Sequence, residues 1–390
     1  MTNKGTSVVV VGGGVTGLST AWWLARSGVD VTVLEKGIVG FEASGRNGGG
    51  CTHYQSPLFH EEQRLWPQMD ELLGYPTEYR RERIVFQVDE RKANFADGLS
   101  MRIPAGYEWE VLDGRQVRER VPLAGDNAVC GVHLHFGGHA NPQRTSQAYA
   151  WAARDLGVAI HQHVAVSGFE TAGGRVVGVE TSAGRFGCDA LVIAAGPQTG
   201  KLSAMLGNPV PMAAARAEMI VTEPLPLMPT GGVDGNGLYG RQTLRGNLAY
   251  GGGPHEWYDD TPLDRPPPRP SGSVLRGLSR RLADLLPRAA HARVIRSWAG
   301  VIENTPDGRP VIERLTAPDN VTVATMSSVG FGLSPASGHA IRDLVLDGVC
   351  SFADLSKLSS ARFKELSGDW RRDLNWLPPQ PVMPDAGASL

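Results

Sequence analysis

The stretch SVVVVGGGVTGLSTAWWLARSGVDVTVLEKG, residues 7 to 37, constrains the fold more than any other part of the chain. Val8 to Val11 is an uninterrupted β-branched run, the pattern of a strand covered on both faces in a parallel sheet. Leu18 to Ser27 reads as a helix, and Gly28 stands where a helix C-terminus takes positive φ. Val31 to Leu34 reads as a second buried strand ending at Glu35, which completes a βαβ unit. Gly12, Gly14 and Gly17 form GxGxxG between the first strand and the helix. The first glycine permits the turn, the second admits a pyrophosphate, and the third lets helix and strand pack closely. Val15 and Thr16, between the second and third glycines, are grouped with them as cofactor contacts, and the helix N-terminus that follows offers amides and a dipole to phosphate. Glu35 can accept bonds from ribose hydroxyls, and an acid there disfavours a 2′-phosphate; Lys36 is grouped with it as a cofactor contact. Strand, turn, helix and acid in this order predict a bound dinucleotide.

The remainder of the chain limits the alternatives. A net charge of −2, with basic residues scattered, predicts no nucleic-acid partner. Cys51, Cys130, Cys188 and Cys350 share no short spacing, which favours a reducing, cytoplasmic setting. No apolar run approaches a membrane span, and no secretory leader is read at the start.

Buried parallel segments recur in DALVIAAG (189–196) and NVTVATMSS (320–328). Between them lie alternating blocks such as RIVFQV, GVHLHF, ARAEMIVTE, GLYGRQ and NLAYGGG, which read as antiparallel strands. An amphipathic helix is expected over Leu65 to Leu73, a helix over Gln143 to Leu156 capped by Asn141 and Pro142, and another near 273 to 286. The expected fold is α/β. A Rossmann-type domain is built from 1–75, 140–215 and 300–372, and an interleaved antiparallel α+β domain from 76–139 and 216–299. Residues 373–390 read as a flexible tail.

NAD and FAD share the glycine fingerprint, and EASGRNGGGC (42–51) helps to choose between them. Together with GHANP (138–142), ALVIAAGP (190–197) and WAGVIENTPDGRPVI (298–312), it resembles the FAD-dependent D-amino-acid oxidase superfamily. The similar branch contains the sarcosine oxidase β-subunit, hydroxyproline dehydrogenase and opine oxidase, with glycine oxidase as a further relative. The resemblance implies FAD, with Ser44, Gly45, Arg46, Asn47, Gly48 and Gly49 beside the flavin and bare because a planar ring fills the space. It also implies that Val164 contacts adenine through its backbone and that Ala195 and Gly196 pass close to the dinucleotide. Gly330, Phe331, Gly332, Leu333 and Ser334 would bring a helix N-terminus to the flavin.

The chemistry so implied is oxidation of the C–N bond of an amine or amino acid. A hydride passes to flavin N5, and the imine left behind hydrolyses. Relatives hold a substrate carboxylate with a cation, and this chain departs from them at three such places, having Thr52, Ile302 and Gly332. Arg241 and Arg216 are the replacement candidates, with His53 and Tyr54 as donors or as acceptor of the amine proton. Trp298 and Tyr250 are candidate walls. No lysine is expected beside the flavin to assist oxygen, so the acceptor is O2 or, more in keeping with that absence, another carrier. His133 and His135 form an HxH pair, but no carboxylate or cysteine follows at a ligand spacing, so no metal is expected. A homo-oligomer, or a subunit active only within a hetero-complex, is compatible with the β-subunit resemblance. An ordinary NAD-dependent dehydrogenase fits less well, because the dinucleotide-binding pattern returns at the C-terminal end.

Overall fold

The computed structural model describes residues 6–92, 94–258 and 268–377. Its central sheet runs in the order Val311–Arg314, Val321–Thr325, Ala190–Ile193, β1 (Ser7–Val11), β2 (Asp30–Leu34), Ala159–His161. Every neighbouring pair is parallel except the first. This is the doubly covered sheet that the β-branched runs call for. Val8 and Val10 of β1 join the cluster of Leu18, Trp22, Ala340 and Ile341, while Val9 and Val11 face Val176, Val179 and Val323.

Helix α1 (Val15–Arg26) follows β1 directly. It starts three residues before the expected Leu18, because Gly14, at φ −76° and ψ 174°, is already its N-cap. Across α1 lies the helix Gly330–Leu346. Ser19 Oγ donates to Ser334 O at 2.7 Å and Trp23 Nε1 to Pro335 O at 3.0 Å, so this late helix is bonded directly to α1.

Three further sheets complete the fold. Ala213–Pro224 pairs with Val294–Asn304, Asn247–Gly251 and Glu256–Tyr258, and Tyr239–Gln242 extends this sheet. Val233–Gly235, Arg80–Gln87, Cys130–His139 and Trp109–Asp113 make the second, and Val166–Ala172, Arg175–Thr181 and Gly184–Gly187 a small third. The helix Gly272–Leu285 lays Leu278, Leu282 and Leu285 against Ile84, Phe86, Leu112 and Tyr250.

The helix expected over Leu65 to Leu73 is broken into Phe59–Leu65, a 3-10 turn Trp66–Gln68 and Met69–Leu73. Pro67 lacks the N–H that a continuous helix requires there. The cap at Asn141 forms as expected: its Oδ1 accepts from Gln143 N and Arg144 N, at 3.1 and 3.2 Å, ahead of the helix Pro142–Asp155. Asn141→Ala is expected to lower unfolding free energy by about 1 kcal/mol, read from the urea midpoint, with the flavin spectrum unchanged.

Of the expected tail, Trp376 stacks on Trp257 with centroids 4.4 Å apart, and 378–390 lie outside the described residues. The four cysteines are free, and among the described residues no helix is long and apolar enough to cross a membrane.

Candidate cofactor cleft and active site

At the carboxyl ends of β1, β2 and Ala190–Ile193, where open α/β sheets bind ligands, lies a cleft of about 1480 Å³, open solvent at its mouth included. Gly12, Gly14, Val15 and Thr16 line it from the glycine turn, Glu35 and Lys36 from the end of β2, and Ser44 and Asn47 from the glycine-rich stretch. Val164, Ala195, Gly196, Gly330 and Phe331 complete the predicted part of the wall.

The turn is tight by construction. Gly12 sits at φ +112°, and a Cβ there would lie 2.3 Å from Ala194 O; a Cβ on Gly17 would lie 2.0 Å from Gly12 O. Gly17 is thus buried beneath the turn and does not line the cleft. The N-terminus of α1 has no side-chain cap and no acid in its first turn, so its amides face the cleft without a protein anion. Val15 N–H alone is engaged there by a side chain, donating to Ser44 Oγ at 2.9 Å.

Glu35, 8% exposed, accepts from Gly13 N at 2.8 Å and Gly37 N at 2.7 Å. Burial raises its pKa, and these two bonds act the other way. Val164 N–H is committed to Glu35 O at 2.9 Å, so only its carbonyl is left for a ligand.

The glycine-rich stretch is bare for reasons other than the expected one. A Cβ at Gly45 would meet Gly40 O at 2.3 Å, at Gly48 the Tyr239 ring at 2.9 Å, and at Gly49 Ala140 O at 2.2 Å. Packing within the protein demands these glycines, and none of the three lines the cleft. Arg46 is turned away too. Its guanidinium donates to Phe41 O and Ala299 O, at 2.7 and 2.6 Å, and lies over the Phe41 ring.

In the helix Gly330–Leu346, Gly332 lies under His53, Leu333 and Ser334 are fully buried, and Ser334 O is taken by Ser19. Only Gly330 and Phe331 of that motif reach the cleft. Unforeseen wall residues are Ala43, Gln198, Glu303, Met326 and Ser328. Glu303 is a buried acid whose pKa burial raises; its Oε1 accepts from Met326 N at 3.3 Å. It lies on the unbroken strand Val294–Asn304, within WAGVIENTPDGRPVI, where no spacing singles it out.

The catalytic candidates separate clearly. His53 Nδ1 lies 2.7 Å from Glu62 Oε1, and His53 N–H donates to Glu62 Oε2 at 3.0 Å; Glu62 is fully buried. The carboxylate therefore places the ring proton on Nδ1 and leaves Nε2 with its lone pair. Tyr54 packs against the Phe59, Leu134 and Phe136 cluster, and neither it nor His53 is among the residues that line the cleft. Arg216 is consumed by Glu256 at 2.8 Å and Glu218 at 3.2 Å. Tyr250 is core, its hydroxyl donating to Val233 O at 2.8 Å, and Trp298 Nε1 donates to Arg46 O.

Arg241 is different. It is 6% exposed on Tyr239–Gln242, donates from Nη1 to Gly48 O at 2.9 Å, and has no carboxylate at ion-pair distance among the described residues. Burial pulls its pKa down to about 10, so it remains a cation at neutral pH. Arg83, the other buried arginine among the described residues, is paired with Asp234. His139 registers the resulting field: burial, then Arg83, Arg241 and Arg80, hold its pKa well below the usual range. Gly48 follows Asn47, so Arg241 is bonded to the residue next to one that lines the cleft, and is not itself in the wall.

Residues 7–344 match the family model DAO, FAD dependent oxidoreductase. The chain belongs to the DAO family. It is 30% identical over 359 residues to sarcosine oxidase subunit beta of Rhizobium meliloti (strain 1021), covering 87% of this chain and 84% of the relative. To glycine oxidase of Pseudomonas putida it is 28% identical over 362 residues, with 87% and 94% covered. L-proline dehydrogenase from P. horikoshii shares the fold, with a TM-score of 0.82 at 24% identity over 92% of this chain and 98% of that one. This DAO protein is therefore a FAD-dependent oxidoreductase that oxidises the C–N bond of an amine or amino acid. Its cleft fits FAD: an uncapped helix N-terminus for the pyrophosphate and an acid at the end of β2.

Proposed function

We propose that the amine oxidised by this enzyme carries a carboxylate, gripped by Arg241, and that His53 takes up its ammonium proton. The buried, unpaired Arg241 carries this reading. An isolated interior charge costs several kcal/mol, and a guanidinium presents a fork that matches a carboxylate bidentately. A substrate anion would supply the missing partner and fix the angle of the C–H bond to be broken.

Gly14, Val15 and Thr16 would hold the pyrophosphate, Glu35 the ribose, the Val164 carbonyl the adenine, and the Gly330 helix end the flavin. Bound FAD supplies the two-electron acceptor for the substrate hydride. His53 presents Nε2 as the basic atom, held in that tautomer by Glu62, and it needs only to remove a proton from nitrogen. Apart from Lys36, no lysine among the described residues lines the cleft, which favours an electron acceptor other than O2.

The test is anaerobic mixing of the purified holoprotein with D- and L-amino acids, N-methylated and cyclic imino acids, opines, polyamines and the decarboxylated counterpart of each acid. A carboxylate-bearing amine is expected to bleach the flavin at least ~10²-fold more efficiently than its decarboxylated counterpart. Equal bleaching by the two would overturn the reading.

A further inference from the structure

Along the chain, His133 and His135 have no carboxylate at a ligand spacing; across the sheet they have two. Both histidines lie on Cys130–His139, where period-two alternation puts their rings on one face, centroids 4.2 Å apart. On one side, the antiparallel register sets Glu110 of Trp109–Asp113 directly opposite His133. On the other side, the pairing shifts between Arg81↔Gly138 and Arg83↔Leu134, so the extra residues lie on Cys130–His139, and Glu82, opposite them, adopts φ +80°. Positive φ in a residue other than glycine costs about 1–2 kcal/mol. Here it falls on a carboxylate that shares a face with Ile84 and the two imidazoles.

Glu82 Oε2 is 3.2 Å from His133 Nε2, and its Oε1 is 3.8 Å from His135 Nδ1. Glu110 Oε1 is 3.4 Å from His133 Nδ1 and 3.5 Å from His135 Nε2. Each ring therefore shows one nitrogen to each glutamate. Donors bound at roughly 2.0–2.2 Å to one tetrahedral ion sit about 3.3–3.5 Å from each other, so these separations are those of atoms that can share a metal. The donor atoms of Glu82, His133 and His135 all lie within 4.8 Å of one another.

We propose that Glu82, His133 and His135 form a site for a divalent transition-metal ion such as zinc, with Glu110 orienting both rings from behind. The two glutamates divide these roles because Arg120 Nη2 donates to Glu110 Oε1 at 2.9 Å, which neutralises that carboxylate and fixes it. Glu110 Oε1, 3.4 and 3.5 Å from the far nitrogens, would close by a few tenths of an ångström to accept their N–H groups, giving His133 Nδ1 the partner it lacks. This leaves His133 Nε2 and His135 Nδ1 with lone pairs toward Glu82, the carboxylate–histidine–metal arrangement. Two imidazoles and one carboxylate select zinc, nickel or copper over calcium or magnesium. Three protein donors leave a position open, and the Glu82 side chain is 41% exposed, so solvent can complete the shell. The ion would tie two adjacent strands together directly, and a third through Glu110, on a sheet face whose other residues, Ile84, Phe86 and Leu112, enter the core.

Untagged holoprotein, stripped with a chelator and titrated with zinc chloride in a calorimeter, tests the site. About one equivalent should bind, Glu82→Gln and His135→Gln should each weaken binding at least ~100-fold, and Glu110→Gln about 10- to 100-fold. Flavin content and thermal midpoint report that each variant is folded. Zinc binding equal in wild type and His135→Gln, or calcium binding as tight as zinc, overturns the proposal.

Discussion

Arg241→Met is expected to reduce kcat/KM for a carboxylate-bearing amine roughly 30- to 5,000-fold. Truncating one partner of a buried, hydrogen-bonded charge pair costs about 2–5 kcal/mol, and about 1.4 kcal/mol is one decade. Methionine keeps an apolar stem in the strand Tyr239–Gln242, so folding and flavin content should persist. The lost bond from Nη1 to Gly48 O, 2.9 Å in the native chain, removes about 1 kcal/mol of stability. Two further results distinguish substrate binding from general damage. Oxidation of the decarboxylated amine should be nearly insensitive to the change, because that substrate offers Arg241 nothing. Competitive inhibition by simple carboxylates should vanish together with the acid substrate's advantage. Steady-state kinetics on both substrates, with wild type and variant, give the full cycle. A uniform loss on both would mean that Arg241 only supports the Gly48 turn.

What the chain reveals on its own depends on whether the determining contacts are local. The βαβ unit is legible because β1, α1 and β2 each satisfy a short-range pattern, and the GxGxxG turn is sterically forced. The parallel segments at 190–193 and 321–325 are legible by the same β-branched run. Arg241 could be nominated from its place on an alternating strand. What could not be read is that Arg216, equally plausible by position, would meet Glu256 and Glu218, since strand pairing decides that. Tyr54 and Arg46 show the same limit: proximity along the chain to a glycine-rich stretch says nothing about which way a side chain turns. The pairing of Glu82 and Glu110 with the HxH motif is the clearest case, because those carboxylates arrive from neighbouring strands on either side of it.

Gly14→Ala is expected to leave a folded protein that has largely lost FAD, whereas Gly17→Ala is expected to damage the fold itself. The three glycines of the turn answer to different demands. At Gly17 the added methyl would stand 2.0 Å from Gly12 O, a backbone atom that cannot swing aside, so α1 must move off β1. Overpacking of that kind costs about 1–3 kcal/mol or more. At Gly14 the backbone, φ −76° and ψ 174°, suits any residue, and the nearest atom to a new Cβ is Ser44 Oγ at 3.0 Å, a hydroxyl on a side chain. The protein itself asks only that Ser44 Oγ give by a few tenths of an ångström, at some cost to its bond from Val15 N. What requires glycine there is a pyrophosphate lying against the amides that open α1, and a methyl in that path should weaken FAD binding roughly 10- to 100-fold. Gly28→Ala provides the control. Its φ of +80° is in the left-handed region, unlike that of Gly14 or Gly17, yet no atom lies within 4 Å of the new Cβ, so only the dihedral strain of about 1 kcal/mol applies. Far-ultraviolet dichroism and FAD titration of the three apoproteins separate these outcomes. A Gly14→Ala protein that binds FAD as tightly as wild type would place the pyrophosphate away from this turn.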